Sequence, residues 1–128
     1  MPLAHLTIAT ADSAATSKFL QTVFDWPEVH RPGNVDLTTY WLDIGQGQQV
    51  HVLQVEGFEV SPFEKEFGRH FAFLFPAAKL AEIRQRLEEL SVSIIPPIRP
   101  TPFERFFFYD PNGYMFEVID QDKFVQEQ

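Results

Sequence analysis

Apolar positions along the chain repeat first with a strand period and then with a helix period, and this succession occurs twice. Leu3 to Thr10 reads as a mostly apolar strand. Ala11-Asp12-Ser13 then offers helix N-cap chemistry ahead of Ala15, Phe19, Leu20, Val23 and Phe24 at helical spacing, and Trp26-Pro27 stops that helix. The turn cluster His30-Arg31-Pro32-Gly33-Asn34 separates a short edge segment from two β-rich runs, Leu37 to Ile44 and Gln49 to Val55, joined as a hairpin by Gly45-Gln46-Gly47.

After a loop from Glu56 to Phe67 the pattern resumes. Arg69 to Phe75 reads as a strand, Pro76 stands at a helix start, and Leu80, Ile83, Leu87 and Leu90 share one helical face. Ser91 to Ile95 predicts a short strand, and Pro96, Pro97, Pro100 and Pro102 a stiff connector. Phe103 to Tyr109 and Tyr114 to Asp120 form a hairpin across Asp110-Pro111-Asn112-Gly113, and Gln121 to Gln128 is a polar tail.

The order is therefore βαβββ, twice, and equivalent features lie about 65 residues apart: His5 and His70, or the hairpin glycines Gly47 and Gly113. The expected class is α+β. Each half should form a four-stranded, partly antiparallel sheet covered on one face by its helix and concave on the other, so that two cups face each other. Residues 1–128 should form one domain, with module one at about 1–56 and module two at about 68–121.

Composition narrows the functional classes. A chain of 128 residues, 45% hydrophobic and 22% charged, suits a single globular domain, and fourteen Phe predict an aromatic core. The formal charge of -8 has the wrong sign for nucleic-acid binding. No apolar run approaches the roughly 20 residues that cross a bilayer, and the first residues lack signal-peptide character, so a cytoplasmic protein without a membrane partner is expected. With no Cys, only His, Asp and Glu remain as side-chain metal ligands.

Those residue types recur at matched places. His5 and His51 are 46 residues apart in the first half, and His70 and Glu117 are 47 apart in the second. His51 follows Gly47 by four residues, as Glu117 follows Gly113. Strand parity puts Thr7 and Ala9 on the face of His5, and Ala72 and Leu74 on that of His70, while Phe71, Phe73 and Phe75 point the other way. Such a donor set suits one divalent ion: zinc, iron, manganese, nickel or cobalt. With neutral histidines and an ionised Glu117 the loaded site would carry about +1, favouring an anionic oxygen substrate.

The second hairpin allows two registers. A type I turn with a left-handed Gly113 and a bulge sets Phe107 opposite Glu117 and sends Arg105, Phe107 and Tyr109 to the side of Glu117, whereas a two-residue loop would send Glu104, Phe106 and Phe108 there. Pro111 favours the first. Arg105 and Phe107 then become candidate substrate-binding residues, Arg105 as a clamp for a carboxylate or phosphonate, with Thr39 and Trp41 on the opposite wall. There is no phosphate-binding glycine loop, nucleophile elbow or dinucleotide fingerprint.

The segments Ala4-His5-Leu6-Thr7-Ile8, Val50-His51-Val52-Leu53, Arg69-His70-Phe71-Ala72-Phe73 and Phe108-Tyr109-Asp110-Pro111-Asn112-Gly113-Tyr114-Met115-Phe116-Glu117-Val118 together resemble the vicinal oxygen chelate superfamily. That superfamily includes glyoxalase I, fosfomycin-resistance thiol transferases, bleomycin-binding proteins, methylmalonyl-CoA epimerase and extradiol dioxygenases. The resemblance covers about residues 3 to 121. It implies paired βαβββ modules forming a cup around one metal, commonly in a homodimer, with His5, His51, His70 and Glu117 as ligands and Glu117 as the catalytic carboxylate. His51 stands where glyoxalase I and the epimerase usually have Glu or Gln, whereas His5, His70 and Glu117 match the His, His, Glu set of the thiol transferases and dioxygenases. The expected function is a metal-dependent lyase, isomerase or dioxygenase acting on a small oxygen-chelating substrate. The alternative is a non-catalytic small-molecule binding protein of the bleomycin-resistance type.

Overall fold

The computed structural model describes residues 3–124; the end of the polar tail, 125–128, lies outside the described residues. Its elements are β1 (His5–Thr10), α1 (Ser13–Phe24), β2 (Tyr40–Gly45), β3 (Gln48–Gln54), β4 (Phe71–Phe75), α2 (Ala77–Glu89), β5 (Arg105–Tyr109) and β6 (Met115–Asp120). The chain divides into two compact units between Glu59 and Val60, inside the loop expected from sequence. The class is α+β, and the two units share one topology.

In the first unit the sheet order is β1-β3-β2, with β1 parallel and β2 antiparallel to β3; in the second it is β4-β6-β5 with the same senses. The expected fourth strands shrink to single bridges, Glu28 to Leu42 and Ile95 to Phe107. Proline explains this. Ile95 exchanges both backbone hydrogen bonds with Phe107, at 2.7 and 2.9 Å, but Pro96 and Pro97 follow it and can donate none. Pro27 likewise accepts from Asp43 N–H at 2.9 Å and has nothing to donate in return.

Most strands start later than their apolar patterns suggest, and for β2 and β4 the backbone shows why. Asp36 turns the chain by accepting the Thr38 amide and hydroxyl, both at 2.7 Å, while its carbonyl accepts Thr39 N–H, so β2 begins only at Tyr40. Arg69 N–H goes to the Phe63 carbonyl at 2.7 Å, and β4 begins at Phe71.

The helices follow their end chemistry. Asp12 caps α1 through Ala15 N–H at 3.0 Å, and Asp25 closes it in the left-handed region at φ 61°. Pro76 offers α2 no side-chain cap; Asp122, just beyond β6, accepts Ala77 N–H at 3.1 Å instead. Each helix buries one stripe, Leu20, Val23 and Phe24 in α1 and Leu80, Ile83 and Leu87 in α2. Leu90, expected on that stripe, is the C-cap of α2 and is 44% exposed.

The first core joins this stripe to Ile8, Leu42, Val50 and Val52; the second is aromatic, with Phe106, Phe108 and Phe116 fully buried. Burying such a side chain contributes roughly 1.5–3 kcal/mol, so these residues, not the strand edges, hold each sheet to its helix.

The second hairpin takes the bulged register. Gly113 sits at φ 97° and donates to the Asp110 carbonyl at 3.0 Å, and Phe107 pairs with Glu117. Asp110 Oδ1 accepts the amides of Asn112 and Tyr114 at 3.0 and 2.9 Å, while its buried Oδ2 has no partner. Burial therefore outweighs the hydrogen bonds and pushes this carboxyl from 3.8 up to about 6.

A raised folded-state pKa makes the protonated form the stabilising one. This contribution is complete below about pH 4 and is lost as the pH rises through about 6. Asp110→Asn keeps the accepting oxygen and removes the charge. Compared with wild type in urea unfolding, it is expected to gain about 2 kcal/mol between about pH 4 and pH 7; parallel stability curves would refute the assignment.

Candidate metal centre

In the first unit His5 opens β1, His51 lies within β3, and Trp41 pairs with His51 across the antiparallel ladder. Thr7 lies opposite His51 in the parallel ladder, so the histidines are one side-chain repeat apart on one face. Their rings stack at 4.0 Å between centroids and 12° between planes, and Trp41 stacks on the other side of His51 at 4.3 Å and 5°. His51 Nε2–H donates to Gln49 Oε1 at 2.8 Å. Burial first, and nearby His5 second, hold His51 below its ordinary pKa, so its imidazole is neutral at pH 7. Thr39 is buried in the turn before β2.

The second unit repeats this register with different chemistry. His70 directly precedes β4, and Ala72 pairs with Glu117 in β6, again leaving histidine and donor one repeat apart. Here the donors meet edge to edge, with His70 Nε2 3.1 Å from Glu117 Oε1. Arg105 Nη1 donates to Glu117 Oε2 at 3.1 Å, and its Nη2 donates to the Arg99 carbonyl. Glu66 Oε1 lies 3.9 Å from the same Nη1. Phe107 fills the space beneath, 5.5 Å edge-on from His70 and 5.5 Å from the guanidinium. Arg105 and Glu117 are each only 6% exposed, and two buried nitrogens, His70 Nδ1 and Arg105 Nε, have no partner.

The pairs differ in their fitness for an ion. Ligands each about 2.1 Å from a shared ion and at a right angle are about 3.0 Å apart, which His70 and Glu117 meet at 3.1 Å. An ion must lie near the plane of an imidazole that binds it. Since the planes of His5 and His51 are nearly parallel and their centroids 4.0 Å apart, an ion bonded in the plane of one ring lies beyond bonding distance of the other. As stacked, they cannot both hold one ion. Among the described residues no group of three or more His, Asp or Glu could hold a metal, and only the second unit's pair has the spacing of adjacent ligands.

Strand parity, the repeat and the hairpin register singled out His5, His51, His70, Glu117, Trp41, Phe107 and Arg105, but not Glu66 or the Arg99 carbonyl, which lie in irregular segments where no period operates. Gln49 was within reach, since it lies two residues before His51 on the same strand face.

The family model for the Glyoxalase/Bleomycin resistance protein/Dioxygenase superfamily matches residues 3–118, a span that takes in all four candidate ligands. The chain belongs to that superfamily. Within it, the chain is similar to the fosfomycin resistance protein FosX of Listeria innocua, at 25% identity over 91% of this chain and 86% of the relative. The crystal structure of FosX from Mesorhizobium loti is similar with a TM-score of 0.69 and 26% identity, covering 92% of this chain and 90% of that one. A variant FosX from Listeria monocytogenes, complexed with Mn(II) and 1S,2S-dihydroxypropylphosphonic acid, shares the fold with a TM-score of 0.70 and 23% identity, over 91% and 87% of the two chains. Superfamily membership thus agrees with the duplicated βαβββ order.

Gly68 governs the approach to His70. A Cβ there would stand 1.7 Å from the Phe63 carbonyl oxygen, which also accepts Arg69 N–H, so the backbone must move to admit any side chain. Gly68→Ala is expected to lower stability by at least about 2 kcal/mol in thermal unfolding; an unchanged midpoint would show that this turn does not set the position of His70.

Proposed function

We propose that the protein is a metal-dependent enzyme of this superfamily, in which His70 and Glu117 supply two ligands to one divalent ion. The observation that carries the reading is the 3.1 Å separation of His70 Nε2 and Glu117 Oε1, which suits adjacent ligands of one ion. The Mn(II) present in the related FosX complex supports a divalent ion, and its dihydroxy ligand supports a substrate with two adjacent oxygens. When bound, such an ion polarises substrate oxygens and stabilises negative charge developing on them.

The chain's own residues do the rest. Glu117 is the carboxylate available for proton transfer, Arg105 holds its second oxygen, and Phe107 excludes water beneath it. Phe107 is the proposed wall of the substrate site in the second unit. His51 is kept beside His5 by Trp41 and Gln49, so that the first unit's two imidazoles are held in a ring stack. The enzyme acts as a cytoplasmic homodimer on a small molecule in this reading, as a lyase, an isomerase or a dioxygenase. A binding protein for a cationic ligand is the second reading, favoured by the formal charge of -8.

Titration of metal-free protein with Mn(II), Zn(II) and Fe(II) separates the two readings. Wild type is expected to bind one equivalent per chain, and His70→Ala and Glu117→Gln to weaken binding more than tenfold, while His5→Ala and His51→Ala report whether the first unit donates a ligand. Absence of divalent-ion uptake by wild type would remove the enzyme reading. A panel of hemithioacetals, catechols and epoxide phosphonates assayed on the loaded protein then assigns the reaction.

A further inference from the structure

Arg105 was expected to clamp an anionic substrate, but its surroundings give it other work. Its side chain is only 4% exposed. Nη1 donates to Glu117 Oε2 at 3.1 Å and Nη2 to the Arg99 carbonyl, so both ends of the guanidinium fork are engaged by the protein itself. Glu66 adds a second carboxylate at 3.9 Å, and its Oε1 accepts Ile98 N–H at 3.0 Å, which ties that carboxylate to the proline-rich connector. The one positive charge thus faces two acidic side chains, and Phe107 lies along it.

A guanidinium already matched by two carboxylates has little attraction left for a substrate anion. It does have a geometric effect on Glu117. By holding Oε2, it leaves Oε1 as the oxygen facing His70 Nε2. Partners behind a metal ligand orient it and raise affinity without touching the ion.

We propose that Arg105 is a positioning residue that fixes the Glu117 carboxylate for one-oxygen metal ligation, and is not an anion-binding residue. The proposal rests on Glu117 being a ligand, as proposed above. It narrows the substrate class, because a phosphonate or carboxylate would have to be recognised elsewhere, and a neutral pair of vicinal oxygens suffices at this site.

The test compares metal-free wild type, Arg105→Lys and Arg105→Gln, with free Mn(II) read from its six-line electron paramagnetic resonance signal. Lysine keeps the charge between Glu66 and Glu117 but cannot reach Glu117 and the Arg99 carbonyl with one planar fork. Arg105→Lys is expected to keep a thermal midpoint close to wild type yet bind Mn(II) at least tenfold more weakly, and Arg105→Gln to be weaker still. Methylphosphonate, titrated into each loaded protein, should bind wild type and Arg105→Lys equally. Should Arg105→Gln not fold, Arg105→Lys carries the comparison. Mn(II) affinity within twofold of wild type in Arg105→Lys overturns the proposal, as does a loss confined to methylphosphonate binding. A wild type that binds no Mn(II) overturns instead the metal reading on which it rests.

Discussion

The second unit is organised by the cost of burying the Glu117 carboxylate. A carboxylate withdrawn from water in the middle of a strand is costly unless it is paired and hydrogen-bonded, and here every partner comes from a different part of the unit. His70 arrives from the residue before β4 and Arg105 from the neighbouring strand, and Arg105 is in turn met by the Arg99 carbonyl and Glu66 from irregular segments. Removing one member of a buried pair of this kind typically costs about 3–5 kcal/mol, since the remaining charge is left uncompensated. The loop at Gly68 and the proline connector are thereby tied to the strands, and β6 is buried along its whole length.

The two units have one topology and one register but have settled their polar centres differently. The histidine before or at the first strand and the donor on the last strand lie one side-chain repeat apart in each. Across the antiparallel ladder each donor meets an aromatic residue, Trp41 opposite His51 and Phe107 opposite Glu117. An imidazole can lie flat between two other rings, and His51 does; a carboxylate has no comparable apolar face and takes a guanidinium instead. The side-chain type at a single position thus decides whether the face becomes a ring stack or an ion pair.

The fold was largely legible because its signals are local. The helical stripes, the Asp12 cap, the left-handed Gly113 and the Pro111 preference for a type I turn act within a few residues, and the last two together fixed which face of β5 Glu117 shares. What failed was also local but of opposite sign. Ser91 to Ile95 has strand composition, yet Pro96 and Pro97 limit it to one bridge, and Leu37 to Thr39 has the β-branched residues of a strand but is turned by Asp36. Glu66 was not legible, because a loop residue's partner is set by tertiary placement.

The role of Arg105 shows where residue-type reasoning reaches its limit. Arg on the face of a candidate metal ligand suggests anion recognition, since a guanidinium fork matches a carboxylate or phosphonate. The same fork matches a carboxylate of the protein equally well, and the sequence contains eighteen acids against ten bases, so an internal partner competes with any substrate for it. Glu117 wins that competition because it is held at 3.1 Å by strand pairing before any ligand arrives, while a substrate must first lose its freedom to reach the same nitrogens. Specificity for an anion in such a site therefore requires a cation that the fold leaves without an acidic neighbour, and Arg105 is not one.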